Sequence, residues 1–257
     1  MTLAAGPRVG GMRSSAWGAA ALGALLASGC ATTQPQLGME APGRPAVTWQ
    51  SPNGDTSKPP SASAPTDTER ELLAELHEAE QKGSNDLPFA TTLYNLAILR
   101  RQQGRLAEAE QLYRRAMEIR EREEGPNHPD VATTLNNLAA VQAAQGHYDA
   151  ARPLLERALA IRQAALGNEH VLTAESLNNL ALLYAAQGNA AGAEPLYQRA
   201  LSILEKIDKP RKGELDRVLD NYAALLYETG RAAEAEQFEA RARVIRAGGE
   251  PRPAAAR

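Results

Sequence analysis

The sequence predicts an all-α fold: an antiparallel helix-pair solenoid of about four repeats, preceded by an N-terminal capping helix. Three observations predict it. From residue 86 the chain copies itself with a period of 42 residues. Each copy holds two segments with apolar residues at helical spacing, and glycine separates them. The apolar content of 43% is largely Ala and Leu, with aromatics at only 4%, a composition that favours helix over sheet.

The first residues are not core material. Arg8 and Arg13 precede an uncharged run from Ala16 to Leu26, the charged-then-apolar order of a secretory signal. That run is too short to cross a bilayer, which takes about 20 apolar residues. Its ending, Leu26-Ala27-Ser28-Gly29-Cys30, resembles the lipobox of bacterial lipoproteins, although the leucine stands one place earlier than that family prefers. The resemblance implies a signal peptide over 1–29, lipidation of Cys30 as the mature N-terminus, and, with Ala31 following, anchoring at the outer membrane facing the periplasm. Two or more acyl chains would make that anchor stable. Residues 31–66 contain seven prolines, five threonines, four serines and three glycines. Such a segment cannot bury enough apolar surface to offset its ordering entropy, so 30–66 reads as lipidated cysteine plus disordered tether. As a coil it would span about 30–35 Å.

The next segment, 67–85, carries a helix from about Thr68 to Lys82, with Leu72, Leu73, Leu76 and Ala79 on one stripe. It misses the repeat register by two places and is expected to cap the array. The repeats fill 86–247. Gly104, Gly146, Gly188 and Gly230 form one column of the period, and Asn95, Asn137, Asn179 and Asn221 another. Leu96, Leu138, Leu180 and Tyr222 make a third, with Ala97 and Ala109 heading two small-residue columns. The first helix of each unit carries Leu-x-Asn-Leu-Ala and stops at the glycine, which tolerates the left-handed backbone that ends helices. The second starts near Ala107, Asp149, Ala191 or Ala233, with Pro153 and Pro195 in or near the first turn. In Gly125-Pro126-Asn127-His128-Pro129-Asp130, Pro129 is preset to begin the next unit.

Leu-Asn-Asn-Leu-Ala, Ala-Arg-Pro-Leu-Leu-Glu-Arg-Ala-Leu and Gly-Pro-Asn-His-Pro-Asp-Val-Ala, at this period, resemble the tetratricopeptide repeat in its longer, kinesin-light-chain-like version. The resemblance implies a groove lined by the first helices, which holds an extended segment of a partner protein. Carried over position by position, it offers Thr91, Asn95, Ile98 and Gln102 in the first unit, and Thr133, Asn137, Ala140 and Ala144 in the second. It offers Glu175, Asn179, Leu182 and Ala186 in the third, and Arg217, Asn221, Ala224 and Glu228 in the fourth. The asparagine column has two readings. An amide both donates and accepts, so the column could grip a peptide backbone, or it could hold neighbouring units in register.

In the last unit, Glu239 and Arg243 replace the apolar columns of Tyr113 and Met117, while Phe238, Ala242 and Ile245 stay apolar. Residues 233–247 therefore read as a closing helix with a polar outer side, and 248–257 as a disordered tail. Removing 1–29 would leave 26 basic against 31 acidic residues, a poor balance for binding nucleic acid. His128 and His170 occupy equivalent places about one helix diameter apart, too far to share a metal ion. With no phosphate loop and no activated nucleophile, neither an enzyme nor a cofactor is expected. The Arg/Glu alternation from Arg114 to Glu124 reads as a solvated face.

These readings converge on a membrane-anchored adaptor or assembly factor. The alternatives are a self-associating scaffold without a peptide ligand, or a soluble adaptor if Cys30 is not lipidated. Wild type is expected to partition into detergent and to take up labelled fatty acid, and Cys30→Ala to leave an uncleaved precursor or a mislocalised protein. Equal partitioning of both without acyl label would refute the anchor.

Overall fold

The computed structural model describes residues 66–207 and 213–249. The signal, Cys30 and all of the tether but Thr66 lie outside these residues, as does 250–257 of the tail. The described residues form nine α-helices and no strand. These are α1 (Asp67–Gln81), α2 (Leu87–Gln102), α3 (Leu106–Glu124), α4 (Pro129–Ala144) and α5 (Tyr148–Leu166). They continue with α6 (Val171–Ala186), α7 (Ala190–Lys206), α8 (Glu214–Glu228) and α9 (Ala232–Arg246). Helices α2 and α3 form the first pair, α4 and α5 the second, α6 and α7 the third, α8 and α9 the fourth. The pairs stack in chain order, with α1 packed on α2. No described helix is long and apolar enough to cross a membrane.

Local chemistry sets the helix ends. Thr66 and Asp86 accept the N–H of Glu69 and Phe89 at the starts of α1 and α2. Pro129 is the first residue of α4, as its fixed φ suits. Each first helix stops at its column glycine. Gly146, at φ 82°, donates to the Ala143 carbonyl, and His147 behind it donates to that of Gln142. The same two bonds recur at Gly104, Gly188 and Gly230. The second helices start one residue before the sequence-based expectation. Pro153 and Pro195 sit inside α5 and α7, just past the first turn.

The Leu96, Leu138, Leu180 and Tyr222 column is buried, and Ala97, Ala139 and Ala181 beside it are fully enclosed. One apolar cluster runs from Ala139 on α4 to Ala242 on α9, so the core crosses the boundaries between units. Rings continue it: Tyr94 meets Tyr113 edge-on at 5.5 Å, Tyr197 stacks on Tyr222 at 5.8 Å, and Phe238 lies 4.8 Å from Tyr222.

Polar bonds fix the register of these seams. Arg120 of α3 donates to the Asp130 carbonyl at 3.1 Å and to the Thr134 hydroxyl at 2.9 Å. One period on, Arg162 of α5 donates to the Leu172 carbonyl at 2.8 Å and to the Ser176 hydroxyl at 3.0 Å. The third seam has Leu204 and Val218 in those places, both buried in the apolar core. Arg120 thus departs from the reading of Arg114 to Glu124 as a solvated face, while Arg114, Arg115, Glu118, Arg122 and Glu123 are exposed. Arg120 is 9% exposed and stacks over the Tyr94 ring. On the same helix Arg115 lies over Phe89, and Glu121 pairs with Arg157. Only Arg114 makes the expected pair along its own helix, with Glu110.

Arg162→Leu removes the guanidinium that donates to the Leu172 carbonyl and the Ser176 hydroxyl and faces Glu175, so urea unfolding should show a loss of about 3 kcal/mol. The Ser176 hydroxyl also accepts from Asn136 at 3.2 Å, so Ser176→Val should cost about 1–2 kcal/mol by itself. A loss below about 0.5 kcal/mol for Arg162→Leu would mean that it does not hold this seam.

Candidate functional site

The groove positions lie along α2, α4, α6 and α8, and the structure treats the middle and end units differently. Thr91, Asn95, Gln102 and Glu228 are exposed. Ile98, Thr133, Ala144, Glu175, Arg217, Asn221 and Ala224 are partly open. Asn137, Asn179, Ala140, Leu182 and Ala186 are buried.

The reason is the direction in which the asparagine column points. Asn137, 3% exposed, donates to the Tyr94 hydroxyl at 2.9 Å and accepts from Arg101 at 3.0 Å, both groups of the preceding unit. Its amide also donates to the Thr133 carbonyl of its own helix at 3.0 Å. Asn179, 2% exposed, accepts from Asn178 at 3.4 Å, and Asn221 reaches back to donate to Asn178 at 2.9 Å. Asn95 has only the capping helix before it, and it stays exposed. Asn137 thus lies inside the stack, its amide covered by groups of the preceding unit, and Asn179 is buried beside Asn178 of its own helix.

Further polar contacts surround this column. Arg162, 1% exposed, lies 3.7 Å from Glu175 and 3.4 Å from the Thr133 hydroxyl. Burial pulls the Arg162 guanidinium below its ordinary value, and Glu175 opposes that shift. Burial likewise pushes the Tyr94 phenol up, against the pull of Arg120, Arg101 and Arg162. At the first end of the array, Arg100 pairs with the buried Glu69 of α1 and holds that carboxyl below its ordinary value. Sequence reasoning overlooked Arg101, Arg120 and Arg162. A signal existed for the last two: arginines one period apart, each followed fourteen places later by a hydroxyl.

The histidines serve local structure. His128 Nδ1 accepts the Asp130 N–H at 3.3 Å, and His170 Nδ1 accepts that of Leu172 at 3.1 Å, so both cap helices. Glu124 and Asp130 also approach His128, at 3.2 and 3.9 Å. A metal ion ligated by Nδ1 would have to displace the capping bond.

A tetratricopeptide repeat family model matches residues 88–164, 144–206 and 172–247, together well over half the chain. The chain belongs to the tetratricopeptide repeat family. Among solved structures, BtubC (BKLC) from P. vanneervenii is 24% identical with a TM-score of 0.59, over 74% of this chain and 82% of that one. The nearly identical TPR-like repeats of a kinesin light chain from Podosopora anserina are 22% identical in two crystal structures. The TM-scores are 0.55 and 0.53, over 70% of this chain and 94% or 95% of those. No curated protein matches the sequence. The tetratricopeptide fold is that of a protein-interaction adaptor or scaffold, a class that is in general not enzymatic.

Asn137→Ala leaves Arg101 and Tyr94 without their shared partner and should cost about 1–3 kcal/mol in urea unfolding. Asn95→Ala should stay within about 0.5 kcal/mol of wild type. Similar losses at both sites would mean that the column does not act between units.

Proposed function

We propose that this tetratricopeptide protein is an adaptor or assembly factor at the envelope of a bacterium. A lipid on Cys30 holds it to the outer membrane on the periplasmic side, and its first helices grip an extended segment of a partner protein. The observation that carries the groove part is the uneven use of polar groups along those helices. Between units the amides and guanidinium groups are spent on one another, as at Asn137, Arg101 and Arg162. At the two ends, Thr91 and Asn95 on α2, and Arg217, Asn221 and Glu228 on α8, stand open or half-open. An extended peptide brings backbone N–H and C=O groups that such side chains can satisfy, and it gains affinity without strict sequence reading.

The anchor part rests on the first thirty residues: two arginines, an apolar run, small residues, then the single cysteine of the chain. The proline-rich segment after Cys30 would let the repeats search a volume around the anchor.

Crosslinking of the full-length protein in native membranes tests the reading when wild type is compared with Asn95→Arg, a change at an exposed position. Wild type is expected to retain a specific crosslinked partner, and Asn95→Arg to lose at least about tenfold of it at an unchanged melting temperature. Equal recovery by both would place binding elsewhere than on this face.

A further inference from the structure

The face of α8 carries two charges that the fold leaves unused. Arg217 and Glu228 stand eleven residues apart with Asn221 and Ala224 between them, and this spacing aligns all four on one stripe of the helix. Neither charge has a hydrogen bond or ion pair among the described residues. Arg217 is half-buried, and its Nε–H is shut off from water without an acceptor. Other half-buried arginines behave differently. Arg157 pairs with Glu121, Arg231 with Glu194, Arg241 with Glu205 and Arg246 with Asp220. Glu175, in the place of Arg217 one unit earlier, already faces Arg162. Burial pushes the Glu228 carboxyl above its ordinary value, and a docked cation would reverse that shift.

Eleven helical residues span about 16 Å, a length that an extended chain covers in about five residues. Building on the groove reading, we infer that α8 selects a partner segment with one acidic and one basic residue about five positions apart. The carboxylate of that segment meets Arg217, and its cation meets Glu228. A carboxylate supplies an acceptor to the Nη groups of Arg217, which have none among the described residues, in the fork geometry that guanidinium groups prefer. Asn221, between the two charges, donates to Asn178 of the preceding unit and fixes the stripe on the array.

The test is selection of a random twelve-residue peptide library on the full chain in detergent, in parallel with Arg217→Glu and with the double variant Arg217→Glu, Glu228→Lys. Because neither side chain has a hydrogen bond or ion pair among the described residues, the melting temperatures should stay near that of wild type. Wild type is expected to enrich peptides with an acidic and a basic residue four to six places apart (about the span above). Arg217→Glu should bind them at least about tenfold more weakly. The double variant should prefer the reverse order of charges. Enriched peptides that lack this pattern, or that bind all three proteins alike, would overturn the charge pairing and leave the groove reading standing. A library from which wild type enriches nothing would overturn both.

Discussion

A pair of amphipathic helices cannot bury its own apolar face, and everything else in this protein depends on how one pair closes over the next. Apolar contact alone would let the pairs slide, because leucine and alanine surfaces fit in more than one register. The arginines of α3 and α5 remove that freedom. Each must reach one backbone carbonyl and one hydroxyl of the following unit, as Arg162 does at Leu172 and Ser176. A shift of one residue would leave a buried cation without acceptors, a far larger penalty than any mismatch of methyl groups. The lock is therefore specific more than it is strong.

Much of this was legible in the sequence, because the determinants of a helix pair are local. Column glycines mark where first helices stop, and Pro129 marks where one starts. The leucine and alanine columns identify the core. The destination of polar side chains was less legible. Periodicity places Asn137 on a face of α4, yet whether that face meets solvent or a neighbour depends on how closely successive first helices approach. Tyr94 and Arg101 close over it. Arg120 departs from the solvated face of α3 for a related reason. A long guanidinium can leave its own helix and cross a seam, so charge pattern alone does not establish solvation. The sequence does hold one clue to the crossing. Arginine accompanies Thr134 and Ser176 in two seams, and leucine accompanies Val218 in the third.

The same economy explains why the middle and end units differ in what they can offer a partner. Inside the array, a polar group on a first helix is consumed by the unit before it. The first unit has only α1 before it, where the buried Glu69 engages Arg100 and leaves Asn95 open. Polar positions that meet the preceding unit, Asn221 of the fourth unit included, thus specify the fold, and Asn95, Arg217 and Glu228 are released from that task.

The fourth unit takes this furthest. Arg246 stands in the column of Arg120 and Arg162, and no unit follows α9 among the described residues. It turns back instead to Asp220 and lies 3.8 Å from Asp216. Those aspartates occupy places where earlier units have Asn178 and Ala174. Burial raises the Asp220 carboxyl while Arg246 draws it down, so the pair compensates within its own unit. The locking cation of the last unit is thereby neutralised at home. Arg217, on the neighbouring helix, receives no such partner among the described residues, although Asp216 precedes it directly and Asp220 lies about one turn on. Both carboxylates are directed to Arg246, and this leaves the α8 stripe charged and uncompensated. What separates Arg217 from the seam arginines is therefore the direction of its neighbours: both aspartates beside it on α8 serve the last cation of the array.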